Sequence, residues 1–293
     1  MAHITRCISD DGCVVVLAAD TTDIVEYARQ INNSSKVCTA ALGRLLTGAS
    51  LMGVMLKTEE SSVTLRVNGG GETGSVIAVS DSHGNVRGYM MNSSVELPLN
   101  DKGKLDVGGA VGKDGFLNVV KDFGLKEPTI GQVPLVSGEI AEDITSYFAA
   151  SEQIPSVCAL GVLVNPDKTV AVAGGFLIQL LPTSDDEIIT RVENGLKNIS
   201  SVTTMLAQGK TPFEICKTVL PEFNVEILDE SDCEYKCNCS RQRVEAALIS
   251  TGADSLNEMA NDSVTQVKCH FCPAVYEFTS ADIKRLIKSA KEN

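Results

Sequence analysis

From Ile4 to about Leu181 the chain alternates between short apolar runs, period-two stretches and helical spacing. Cys13 to Ala18 is a continuous apolar run of strand length, and Ser62-Val-Thr-Leu-Arg-Val67 alternates as a strand with one buried face does. Gly74 to Ser80 and Val86 to Met91 flank the turn residues Asp81-Ser-His-Gly-Asn85, which predicts a hairpin. Further strands are expected at Gln132 to Val136, Ala159 to Val164 and Val170 to Leu177, the last pair separated by Asn165-Pro-Asp167. Two helices interrupt them. The first runs from roughly Val37 to Lys57, with Ala41, Leu45, Leu46, Ala49, Met52 and Leu56 on an apolar stripe; the second starts near Gly138 and repeats Ile140, Ile144, Tyr147 and Phe148. Residues 1–182 therefore read as an α+β core domain of mainly antiparallel sheet with packed helices.

The pattern changes after Pro182. Ser184-Asp-Asp-Glu187 has the form of a capping box and precedes Ile188, Ile189, Val192, Leu196 and Ile199 on one helical face. Thr211-Pro-Phe-Glu214 is a second start signal, with Pro at the first helical position before Ile215, Val219 and Leu220, and Pro221 ends that helix. Residues 183–232 are thus expected to form amphipathic helices that cannot bury their apolar faces alone and must lie on a neighbour.

Residues 233–293 read as a small metal module. Ser240 to Ile249 and Asp254 to Met259 are expected helices, and Thr265 to Phe278 a hairpin with Cys269 and Cys272 at its turn. Thr279-Ser-Ala-Asp282 then caps a final helix that turns Ile283, Leu286, Ile287 and Ala290 inward.

Composition narrows the class. Apolar residues make up 43% of the 293, ample for a core, but aromatics are only 4% and Trp is absent, so aliphatic side chains must build that core. The longest apolar run near the start, Cys13 to Ala19, has neither the length of a membrane span nor the flanks of a signal peptide, so a cytosolic location is expected. The net charge of −13 resides entirely outside residues 233–293, which hold eight basic and eight acidic side chains. A zinc module that grips nucleic acid carries a basic face, and this one is neutral.

Five of the ten cysteines, Cys233, Cys237, Cys239, Cys269 and Cys272, fall within 40 residues. Cys237-Asn-Cys239 and Cys269-His-Phe-Cys272 are two close pairs whose thiolates can converge on one tetrahedral ion. Four thiolates suit zinc and leave no position for water or substrate, so such a centre is structural or regulatory rather than hydrolytic. Both roles stay open on spacing alone. The first pair encloses a single residue, tighter than the usual knuckle, and each pair is close enough to form a local, labile disulfide once a metal is lost. Structural zinc binding supplies about 10–16 kcal/mol of folding free energy, against about 5–15 kcal/mol of net stability for a whole domain. A module of this size cannot replace that with its own core. Cys233, four residues before Cys237, reads as an exposed spare thiol, with competition for the metal as the alternative.

Tyr235-Lys-Cys-Asn-Cys-Ser-Arg-Gln-Arg243 followed by Val267-Lys-Cys-His-Phe-Cys-Pro-Ala-Val-Tyr-Glu-Phe278 resembles the redox-switch segment of the 33 kDa chaperonin family. Upstream, Ala40-Ala-Leu-Gly-Arg44, Gly69-Gly-Gly71, Gly103-Lys-Leu-Asp106, Gly138-Glu-Ile-Ala-Glu-Asp143, Ser151-Glu-Gln153 and Gly174-Gly-Phe176 extend the resemblance over nearly the full length in the right order. Gln242 departs from it, standing where family members commonly carry Glu. The resemblance implies an ATP-independent holdase that is inactive while reduced, with one zinc ion on Cys237, Cys239, Cys269 and Cys272. It further implies Cys237–Cys239 and Cys269–Cys272 disulfides on oxidation, zinc release, unfolding of the linker at residues 183–232, binding of unfolded client proteins, and a homodimer as the active form.

Other signals point away from an enzyme. Gly69-Gly-Gly-Glu-Thr-Gly74 satisfies a dinucleotide fingerprint literally but leads into strand-like sequence, so it reads as a tight turn. Gly209-Lys-Thr211 resembles the end of a phosphate loop, yet Thr204 stands where its first Gly is required, and a loop between linker helices fits better. There is no nucleophile elbow and no paired-His metal helix. His270, between two cysteines of the second pair, reads as a knuckle residue.

Overall fold

The computed structural model describes residues 1–292, with side chains to Ser289; Ala290, expected on the inner face of the last helix, lies outside the described side chains. The chain divides into two compact units, Met1–Lys236 and Cys237–Asn293. No helix of the described residues is long and apolar enough to cross a membrane.

The first unit contains, in chain order, β1 (Ala2–Ser9), β2 (Val14–Asp20), α1 (Thr22–Asn32), α2 (Lys36–Gly53), β3 (Ser62–Gly70), β4 (Val76–Asp81) and β5 (Val86–Met90). It continues with α3 (Val107–Val111), β6 (Gly112–Asp122), β7 (Thr129–Pro134), α4 (Ala141–Tyr147) with a π-helical turn at Phe148–Glu152, β8 (Ser156–Val164) and β9 (Val170–Leu180). Then come α5 (Asp186–Leu196), α6 (Val202–Ala207), α7 (Pro212–Val219) and β10 (Val225–Cys233). Two five-stranded sheets result, in the orders β10-β1-β2-β9-β8 and β5-β4-β3-β6-β7. Every pairing in them is antiparallel, so the fold is α+β.

Helix α2 carries the core. The sequence predicts an amphipathic stripe, but every residue of α2 except Lys36 and Arg44 is buried, because the helix packs on strands of both sheets. A helix with small residues on its second face can be enclosed in this way. Gly43 shows the constraint, since a Cβ there would lie 2.6 Å from a methyl of Val25. Arg44 escapes to an ion pair with Glu139. The helix ends at Gly53, short of Lys57.

The segment after Pro182 lies on the outer face of the first sheet. Ile188 and Val192 of α5, Val202, Met205 and Leu206 of α6, and Ile215, Cys216 and Val219 of α7 pack on Cys7, Val14, Val16, Ala18, Phe176 and Ile178. These helices therefore have the neighbour their amphipathic pattern requires. The expected start signal at Thr211-Pro-Phe-Glu214 opens α7, where Thr211 and Glu214 form a capping box. At α5 the cap is Asp185, whose carboxylate accepts from the Ile188 amide at 3.0 Å; the Ser184 hydroxyl is engaged instead with the Cys13 carbonyl at 2.8 Å. Residues 183–232 are not wholly helical. Their last part belongs to β10, an edge strand paired with β1, and most of its side chains are exposed, so it lacks the alternation that marks a half-buried strand.

Beyond β10 the chain stays on the second sheet. The Glu234 carbonyl accepts from the Val86 amide and the Lys236 amide donates to the Val86 carbonyl, both at 3.0 Å. The Tyr235 hydroxyl donates to the Gly88 carbonyl at 2.9 Å.

The second unit contains α8 (Arg241–Ser250), α9 (Ala253–Met259), the hairpin β11 (Val264–Lys268) and β12 (Val275–Thr279), and α10 (Ser280–Glu292). Thr279 and Asp282 cap α10 reciprocally, the Thr279 amide donating to the Asp282 carboxylate and the Asp282 amide to the Thr279 hydroxyl. Its core is small: Leu248, Leu256, Phe278, Ile283 and Leu286 are its buried hydrophobics among the described side chains.

Candidate metal centre

Two local devices aim the four thiols at one point. Cys237 and Cys239 lie in the extended segment leading to Ser240, whose hydroxyl accepts from the Arg243 amide and starts α8. Cys269 and Cys272 occupy the tip between β11 and β12, held by the Cys269 amide donating to the Ala274 carbonyl at 3.0 Å. The four Sγ atoms all lie within 4.8 Å of one another. Cys237 and Cys269 are 3.7 Å apart, and Cys239 and Cys272 are 3.4 Å apart.

Four sulfurs on a tetrahedron with metal bonds of about 2.3 Å are separated by about 3.8 Å. The cluster is thus close to the size a tetrahedral thiolate site requires, and it joins both sequence pairs. The four side chains are half-buried, so the sulfurs are held in place yet remain open to small solutes.

The thiols are not equivalent. Burial pushes Cys237 up to about 12, and burial likewise raises Cys272. Burial acts the same way on Cys239, but the Tyr276 hydroxyl, donating to its sulfur at 3.1 Å, and the neighbouring thiols outweigh it, so Cys239 ionises below the usual thiol range. Its place just before the start of α8 adds a favourable field for an anion. Tyr276 is raised to about 12 by that same hydrogen bond. Neither Tyr276 nor Arg241 was legible as a supporting residue from cysteine spacing. Arg241 lies over the Phe278 ring at 4.3 Å, donates to the Glu277 carbonyl at 2.9 Å and pairs with Glu245 and Asp282 at 3.5 and 3.4 Å. It ties α8 to β12 and α10.

The extra thiol behaves differently from the expectation of an exposed spare cysteine. Cys233 is 2% exposed. It ends β10 in the core of the first unit, opposite Ala2 in the β1 register, and burial raises it to about 11. Of the weaker motifs, Gly69 and Gly70 still belong to β3, as its irregular end against Gly112, and the expected turn follows at Gly71–Gly74, where the Gly74 amide donates to the Gly71 carbonyl at 3.1 Å; Gly209 to Thr211 link α6 to α7.

A family model described as Hsp33 protein matches residues 2–279. The chain belongs to the Hsp33 family. It is 46% identical over 287 residues to the 33 kDa chaperonin of Acetivibrio thermocellus, covering 98% of this chain and 97% of that one. It is 48% identical over 286 residues to the 33 kDa chaperonin of Lachnoclostridium phytofermentans, covering 97% and 98%. The solved structure of the 33 kDa chaperonin, a heat shock protein 33 homologue, from Thermotoga maritima superposes with a TM-score of 0.89 at 38% identity, covering 99% of each chain. Hsp33 membership supports a chaperone role, and the four close cysteines are able to hold a metal ion.

Proposed function

We propose that this protein is a redox-regulated, ATP-independent holdase, inactive when reduced and zinc-bound and active when oxidised. The observation that carries the reading is the convergence of four half-buried thiols at tetrahedral spacing in a unit with few buried hydrophobics of its own. Cys237, Cys239, Cys269 and Cys272 would hold zinc, whose bound form supplies the cross-link that this core lacks. Zinc is the best fit because the donor set is all sulfur and closed.

Peroxide attack at one sulfur of the first pair gives a sulfenic acid; the thiol of its partner displaces water from it and leaves a Cys237–Cys239 disulfide. A second equivalent forms Cys269–Cys272 in the same way. Sulfurs tied up in disulfides no longer hold an ion, and the small unit loses its cross-link. Its unfolding leaves the chain beyond Lys236 without a folded anchor, so the linker is held by the contacts of the first unit alone. The functional division proposed is a core at residues 1–182, a metastable linker at 183–232 and a redox switch at 233–293. Lifting α5 to α7 uncovers the apolar face made by Val14, Val16, Ala18, Phe176 and Ile178, a surface for unfolded clients that requires no nucleotide. The active species would be a homodimer working in the cytoplasm, kept soluble by its negative charge.

The test is to follow zinc release and suppression of a denatured protein's aggregation side by side, before and after hydrogen peroxide at raised temperature, with thiols mapped by alkylation. The reading expects both to rise together, with both local disulfides formed. Zinc release without suppression, or suppression by the reduced zinc-loaded form alone, refutes it.

A further inference from the structure

A second pair of cysteines meets far from the metal centre. Cys7 of β1 and Cys216 of α7 are both unbridged and both 0% exposed. Cys7 stands opposite Val16 in the β1–β2 register. The Cys216 sulfur lies 4.0 Å from the Val16 carbonyl oxygen and 3.9 Å from the Thr5 carbonyl oxygen, so it is seated on the backbone beside Cys7, within the same apolar cluster. One thiol is thus on the sheet and the other on the linker helix that covers it.

We propose that Cys7 and Cys216 form a second redox site, a disulfide clasp that fastens α7 back onto β1 after prolonged oxidation and limits the time the linker stays open. The proposal rests on the holdase reading above, because in the closed state both sulfurs are shielded from solutes and only lifting of the linker admits an oxidant. Their chemistry is asymmetric. The neighbouring thiol lowers Cys7 and raises Cys216, so Cys7 is the sulfur that attacks first. The Cys7 thiolate takes one oxygen from hydrogen peroxide to give a sulfenic acid and hydroxide. The Cys216 thiol then displaces water from that sulfenic acid, and the S–S bond forms. In sum two S–H bonds and one O–O bond are lost, one S–S bond and two waters are made, and the two electrons come from the thiols. The metal-centre thiols, half-buried rather than enclosed, are oxidised first, so the clasp closes later and acts as a brake.

The full-length, zinc-loaded protein tests this. It is treated with hydrogen peroxide at raised temperature, sampled over time, alkylated and digested, with zinc release and aggregation suppression followed on the same samples. The expected result is a cross-linked peptide joining Cys7 to Cys216 that appears after zinc release, with chaperone activity declining as it accumulates. Hydrogen exchange in α7 should slow at least about tenfold in the clasped fraction. C216S and C216A should release zinc normally and keep their activity through the same time course; two substitutions guard against a packing artefact, and a thermal melt of the reduced forms checks folding. Absence of the cross-linked peptide after complete zinc release overturns the clasp and leaves the holdase reading intact. Its appearance before zinc release overturns the order proposed, whereas failure of zinc release to produce any chaperone activity overturns the holdase reading instead.

Discussion

Ile215→Ala separates the linker from the metal centre. Ile215 is fully buried on α7 against the first sheet, and removing three carbons from such a site costs about 2–5 kcal/mol. With every 1.4 kcal/mol worth tenfold, the equilibrium between docked and lifted α7 shifts by about 30- to 4,000-fold toward lifting, without touching any of the four clustered thiols. Hydrogen exchange by mass spectrometry reads the docking of α5 to α7 directly, and zinc content reads the small unit. The expected outcome is fast exchange in α7, full zinc content and partial suppression of aggregation by the reduced protein. Exchange indistinguishable from the parent would refute the idea that α7 is held by this face alone. Fast exchange with no activity in the reduced state would refute the idea that linker docking is what holds the chaperone off.

Three further outcomes are expected. Chelation of the metal from the reduced protein should remove about 10–16 kcal/mol of support from the small unit, seen as loss of amide protection in Cys237–Asn293 with the strands β3 to β7 still protected. Arg241→Ala should cost about 1–2 kcal/mol by removing the contact over Phe278 and the hydrogen bond to Glu277, read as a lower melting temperature of the zinc-loaded small unit. The third concerns pH: partial burial disfavours the charged His3 ring, but hydrogen bonds to Asp232 and Glu230 outweigh this and raise its pKa above the usual value. Its contribution to β1–β10 pairing is therefore full below about 6.5 and is lost as pH rises through the folded value. After correction for intrinsic rates, β10 amides should be better protected at pH 6 than at pH 8, and His3→Gln should abolish the difference.

Where a residue's environment is set by its near neighbours in the chain, the sequence was a good guide. The metal cluster follows from two short-range pairs, the Thr211 box and the Asp81–Asn85 turn are local, and α7 shows its buried face in Ile215 and Val219. Edges and long-range partners were less legible. Only Val225 and Cys233 of β10 are buried, so nothing in its pattern announces a strand; what makes it one is the backbone of β1, more than two hundred residues away. Helix α1 has only Ile24, Val25 and Ala28 buried, too short a stripe to stand out from sequence. Cys233 looked like part of the metal module because it is near in sequence, whereas its side chain belongs to the core that α2 organises.

The pairing of β10 has a consequence for what the opened protein would offer. Eight register pairs run from Ala2–Cys233 to Ser9–Val225, so detaching β10 leaves β1 with a free hydrogen-bonding edge along its whole length. Such an edge recognises main chain rather than side chains. Beside an apolar face that grips greasy residues, it would accept an extended segment of almost any composition by β-augmentation, a sequence-blind handhold for polypeptides that have lost their own partners.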